Sequence, residues 1–130
     1  MLRLAEAEAG VPIPCSLLAR EGKMPERFLL QVMRSLVNQG LLHSIRGVDG
    51  GYYLARPADQ ITLCNIVEAF DNPLESKLPE VNSTSPQVRD RVMETLKRAS
   101  QAARHELERL TLAELLPSQD EELTRKKVVC

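Results

Sequence analysis

Arg27, Gln31, Arg34 and Asn38 recur at steps of four, three and four residues. On a helix that spacing lines them along one face. All four carry planar or amide donors, and such groups suit the edges of base pairs: arginine bonds guanine in bidentate fashion, and glutamine does the same with adenine. The bland alternative is a solvated helix face with Glu26 as an ion-pair partner. A little further on, Ser44, Arg46, Gly50, Gly51, Tyr52 and Tyr53 bring a planar cation and two adjacent glycines close together. Arg46 suits phosphate or a narrow minor groove. Gly50 and Gly51 let a turn be tight and approach DNA with no Cβ in the way.

Metal and thiol chemistry have less to work with. Cys15, Cys64 and Cys130 are widely spaced, form no CxxC pair, and stand apart from His43 and His105. Such a set is no disulfide framework. Cys15 and Cys64 are expected to fill core positions, and no metal or other cofactor is expected. No paired carboxylates, nucleophile–histidine set or phosphate loop emerges, so an enzyme is not expected either.

The elements that must position these side chains can be read from turn residues and periodicity. A helix over 2–9 stops at Gly10. Pro14 opens a second helix over 15–21, and Gly22 ends it. Pro25 starts a third that runs to Gln39 and stops at Gly40. Its residues Phe28, Leu29, Val32, Met33, Leu36 and Val37 form one continuous buried face. LLHSIR and YYLAR then read as two strands around the turn GVDGG, a β-hairpin in which one tyrosine packs inward and the other is free to meet a phosphate backbone. Thr62 caps a helix through about Phe70, with Ile61 and Ile66 as a hydrophobic staple. Residues 71–84 read as a loop.

Ser85 and Pro86 begin the longest element. Val88, Val92, Leu96, Ala99, Ala103, Leu107 and Leu110 repeat at steps of three and four along it. At about 1.5 Å per residue the helix is roughly 37 Å long, more than a small domain covers with its own chain. The stripe therefore points to the same helix of a second subunit, with packing back on its own domain a competitor for the first half. Thr111 and Glu114 match a capping box for a separate short helix, TLAELL, and residues 117–130 read as a flexible tail.

Composition fits this picture. The chain has 130 residues, the length of one modest core, with only two Phe, two Tyr and no Trp, too few rings for a single-strand stacking platform. The formal net charge is −1, yet between Arg20 and Arg56 six basic residues face three acidic ones, a local excess of the kind phosphate neutralisation needs. No run of about eighteen apolar residues exists to span a membrane. Glu6 and Glu8 interrupt the start where a secretory signal would be apolar, so the cytoplasm is the expected location. The expected fold is mostly α: a winged helix-turn-helix over 1–70, a loop over 71–84, and a dimerisation helix with a short following helix over 85–116.

The ordered set Phe28-Leu29, Leu36, Gly40-Leu41, Ser44, Arg46-Gly47, Gly50-Gly51-Tyr52, Leu54-Ala55-Arg56-Pro57 and Ile61-Thr62-Leu63 resembles the signature of the Rrf2 family of bacterial transcriptional regulators. The likeness covers nearly all of residues 11–116. It implies a homodimer that binds a palindromic operator in double-stranded DNA, usually as a repressor, under the control of an effector or protein partner. Arg27, Gln31, Arg34, Ser44, Arg46, Gly50, Gly51 and Tyr52 are then the DNA-facing residues. Two features depart from the family. Members usually have a longer first helix preceded by a basic segment, whereas this one opens at Met1. Cluster-binding members carry three close cysteines before the long helix, and DNPLESKLPEVNSTSPQVRDRV has none. The competing readings are a winged-helix adaptor that binds protein and has lost DNA, and a regulator switched by thiol oxidation.

Overall fold

A computed structural model describes residues 1–70 and 85–117. In chain order it contains α1 (Leu2–Ala5), α2 (Cys15–Glu21), α3 (Glu26–Asn38), β1 (Leu42–Ile45), β2 (Gly51–Leu54), α4 (Leu63–Glu68) and α5 (Pro86–Arg109). The expected loop over 71–84 and the tail beyond Pro117 lie outside the described residues. None of the described helices is long and apolar enough to cross a membrane.

α1 is shorter than its sequence promised, ending at Ala5 instead of running to residue 9. Leu4 is its one buried residue, and an isolated turn with so little to bury is marginal in water. Glu6 and Glu8 would also bring negative charge to the helix's negative end. Arg3 ties the turn down by donating from Nε to Glu21 at 2.9 Å. The end of α2 also differs in detail. Gly22 stays in the right-handed region, and Lys23 takes the left-handed backbone instead, at φ 50°. The tight turn into α3 is closed by Met24 N–H donating to the Ala19 carbonyl at 2.9 Å.

α3 turns Leu29, Met33 and Leu36 inward, against a core that includes Leu18, Leu41, Leu42 and Ile61. One member of its expected buried face is misplaced: Phe28 is 56% exposed. It sits at the edge of the apolar arc and in the first turn, where the short α2 does not cover it. Gly40 ends the segment with φ 67°, a backbone that a Cβ would strain.

β1 and β2 pair antiparallel, with Ser44 opposite Tyr52 and His43 opposite Tyr53. Residues paired this way share a face. Leu42, Leu54 and Tyr52 therefore turn towards the core, and His43 and Tyr53 turn away with ring centroids 5.3 Å apart. The segment before α2 adds a third, minimal strand: Ile13 and Tyr52 exchange backbone hydrogen bonds, both at 2.9 Å. A capping box starts α4. Thr62 N–H donates to Asn65 Oδ1 at 3.0 Å, and Asn65 N–H donates to Thr62 Oγ1 at 3.2 Å.

α5 has 24 residues and buries none of them. Its two ends are unlike. Near the C-terminal end Arg104 pairs with Glu68 of α4. Beyond it Leu63 N–H donates to the Leu110 carbonyl at 2.9 Å, and Leu112 N–H donates to the Ile61 carbonyl at 2.7 Å. Leu112 itself is 1% exposed, so the chain past the helix plugs the core of the first domain. Packing back on the domain thus belongs to the second half of α5, not to the first half for which it was weighed as a competitor. In the first half Val88 and Val92 stand 52% and 42% exposed. The short helix expected for TLAELL is a single 3₁₀ turn, Ala113–Leu115. Its Thr111–Glu114 cap is present: Glu114 accepts from Thr111 N–H at 2.8 Å and from the Thr111 hydroxyl at 2.7 Å.

Candidate nucleic-acid interface

The tight turn at Lys23 sets α3 across α2 with its apolar side down, so Arg27, Gln31, Arg34 and Asn38 are all exposed. A shallow groove on this surface is lined by Pro25, Arg27, Phe28, Leu30, Gln31 and Arg34. Among the described residues none of Arg27, Arg34 and Arg46 has an ion-pair partner, whereas Arg3, Arg104 and Arg109 do. Glu26 does not neutralise its neighbours. Three guanidinium groups therefore stand in water with their donors unused, which is the state in which they can meet phosphate or base edges.

The hairpin follows α3 directly, held by Leu41 N–H donating to the Leu36 carbonyl at 2.9 Å. Ser44, Arg46, Val48 and Asp49 are exposed, and Val48 at the tip touches nothing. Gly50 and Gly51 have an internal reason to be glycine. A Cβ on Gly50 would collide with the Ile45 carbonyl, and one on Gly51 would collide with the Ile13 backbone. The turn and the third strand demand these glycines before any DNA does. Tyr52 is the tyrosine that packs: half-buried, it lies against the core, so its placement is that of a support for the hairpin. Two apolar side chains of α3 escaped the sequence reading as groove residues: Phe28, which was assigned to the core, and Leu30, which was assigned no role. The signal for Phe28 was its position only three residues past Pro25, in the first turn.

The remaining expected contacts concern the long helix. Val88, Val92, Ala99 and Ala103 are exposed, and Leu96 and Leu107 are half-buried. Leu110 falls past the helix end, where its carbonyl is bound by Leu63 of its own domain. The stripe that is free to meet a second helix is thus shorter at this end than its spacing promised.

Cys15 and Cys64 are the thiols among the described residues that could serve as ligands for iron. Cys64 is buried in α4, but Cys15 is only half-buried, not the core residue expected. Burial raises both thiols above their usual range, reinforced by Glu26 beside Cys15 and by Glu68 near Cys64. A thiol held protonated is a poor metal ligand and a poor nucleophile. Among the described residues no three His, Cys, Asp or Glu side chains converge on a metal-sized site. The described residues do not fit an iron centre. Cys130 lies outside the described residues.

The family model for Rrf2, described as an iron-dependent transcriptional regulator, matches residues 1–118. The HTH-type transcriptional regulator CymR of Bacillus subtilis is 32% identical over 102 residues, covering 74% of this chain and 74% of its own length. A protein of Mycobacterium tuberculosis named as an HTH-type transcriptional regulator is 36% identical over 76 residues, covering 58% of this chain and 47% of its own length. The chain thus spans about half the length of that relative. Among solved structures, CymR of B. subtilis, titled its global cysteine regulator, superposes with a TM-score of 0.67 at 28% identity, covering 88% of this chain and 84% of CymR. IscR of T. potens gives 0.63 at 26% identity, covering 88% and 75%.

Proposed function

The chain belongs to the Rrf2 family of transcriptional regulators, and from that premise we propose that it is a homodimeric repressor that binds a palindromic operator in double-stranded DNA. The observation that carries this reading is the row of unpaired donors on α3, Arg27, Gln31 and Arg34, beside a hairpin that presents Ser44 and Arg46. α3 enters the major groove, where its first turns meet base edges, and the hairpin reaches the adjacent backbone or minor groove. Gly50 and Gly51 keep the hairpin narrow, and Tyr52 anchors it to the core. The exposed half of α5 joins two copies through Val88, Val92, Leu96, Ala99 and Ala103, so that two α3 helices face the same side of a duplex. Protein of this kind acts in the cytoplasm, and an effector or protein partner sets its affinity.

Footprinting on genomic fragments at two salt concentrations tests the reading. Protection of a roughly palindromic site, weakened as salt rises, is the expected result. Arg34→Ala loses about 1–3 kcal/mol and relaxes specificity at one position, as expected for a base contact. Arg46→Ala weakens all sequences evenly and reduces the salt slope by about one. Affinity unchanged in both variants would reject this docking.

A further inference from the structure

Phe28 is the one large apolar side chain on α3 that the fold leaves exposed. A scattered surface phenylalanine would need no explanation; this one stands in the first turn of the helix that carries the unpaired donors. It shares its groove with Arg27, Gln31, Arg34 and the half-buried Leu30. On the helix, Phe28 and Leu30 lie to either side of the polar row, so the cations are flanked by apolar surface. Phosphates drawn in by Arg27 and Arg34 would bring base edges against the ring. A phenyl ring has no hydrogen-bond donor or acceptor with which to read them. The major groove offers such a group one apolar feature, the C5-methyl of thymine.

We infer that Phe28 forms an apolar subsite for a thymine methyl, making it a specificity-determining residue alongside the arginines. This rests on the DNA-binding reading above. The ring selects a T·A step not by a hydrogen bond but by excluding water from the methyl. A cytosine at that position offers the ring only a C5–H beside its N4 amino group, with no methyl to bury.

The test removes only the methyl. Full-length protein is used to select from a random library of duplexes of roughly 25 base pairs, long enough for two half-sites a helical turn apart. The selected duplex is then remade with deoxyuridine at single thymidine positions. For the unmodified protein, uridine at one position per half-site should weaken binding about three- to five-fold per methyl, the worth of one buried methyl group. Phe28→Ala should bind both duplexes alike, with Phe28→Leu in between. Because Phe28 is exposed, both variants should keep the parent's melting curve by circular dichroism.

Equal binding of thymine and uracil duplexes by the parent protein would overturn the methyl subsite while leaving DNA binding intact. So would a Phe28→Ala variant that still distinguishes them, since the methyl would then be read elsewhere. Equal losses on both duplexes in Phe28→Ala would place the ring on the sugar–phosphate backbone and also overturn it. Failure to enrich any sequence, even at low salt, would remove the DNA-binding reading itself.

Discussion

α3 and α5 are both amphipathic, yet they differ in what covers the apolar side. On α3, Leu29, Met33 and Leu36 are 2–4% exposed, roofed by α2, the hairpin and Ile61 of the same chain. On α5 no residue is buried, although its stripe repeats as regularly. Even within α5 the contrast continues. Its C-terminal end is fastened to α4 through Arg104 and Glu68, and the chain beyond it is plugged into the core by Leu112, while Val88 and Val92 have no cover among the described residues. Most helical stability in proteins comes from packing an amphipathic face, so α5 needs a second surface in a way that α3 does not. Periodicity thus reports that a face must be covered; it does not report by whom.

This contrast can be broken or sharpened by substitution. The largest effect is expected inside the first region. Leu36→Ala opens a cavity under α3 and should cost about 2–5 kcal/mol in chemical denaturation, with the same loss at any protein concentration. Charged residues at Leu96 and Ala103 should do the opposite: sedimentation should fall from dimer to monomer mass, while residues 1–70 keep their fold. An unchanged dimer mass would show that α5 is covered by something other than its own copy.

A smaller effect separates the hairpin from both helices. Gly51→Ala forces a Cβ into the Ile13 backbone and should cost on the order of 1–3 kcal/mol, as local strain does when the surroundings cannot yield. If it also detaches the Ile13 strand, hydrogen exchange at Tyr52 N–H should quicken. Stability equal to the parent would mean that the third strand gives way freely.

The smallest effect lies where the two regions join. Hydrogen bonds from the Thr111 backbone and hydroxyl hold the Glu114 carboxyl below its usual range. A lowered folded value contributes stability that is fully present above the ordinary glutamate range, and that is lost as pH falls through the lowered one. The parent should therefore lose a small increment of melting temperature in acid that Glu114→Gln does not lose. Identical acid profiles would detach this cap from the stability of the joint.

Much of this was legible in advance because it depends on neighbours in sequence. Pro14, Pro25, Gly40 and Thr62 mark helix ends by their own backbone or side-chain chemistry, and they lie where α2, α3 and α4 begin or end. The row Arg27, Gln31, Arg34 was readable for the same reason, since spacing alone puts it on one face. The glycines of the hairpin were read as serving DNA, but their tight contacts are with Ile45 and Ile13, the latter a partner far away in the chain.

What the sequence determined by itself is therefore local: the order of the elements, the apolar face of α3, the polar row opposite, and the regular stripe of α5. It took the packed fold to settle that Phe28 falls outside the core, that Tyr52 rather than Tyr53 supports the hairpin, and that α5 is fastened at its far end by Leu112. These depend on which surfaces end up adjacent. Burial is a property of pairs of elements, and a helix edge or a strand face acquires its neighbour only when distant segments pack.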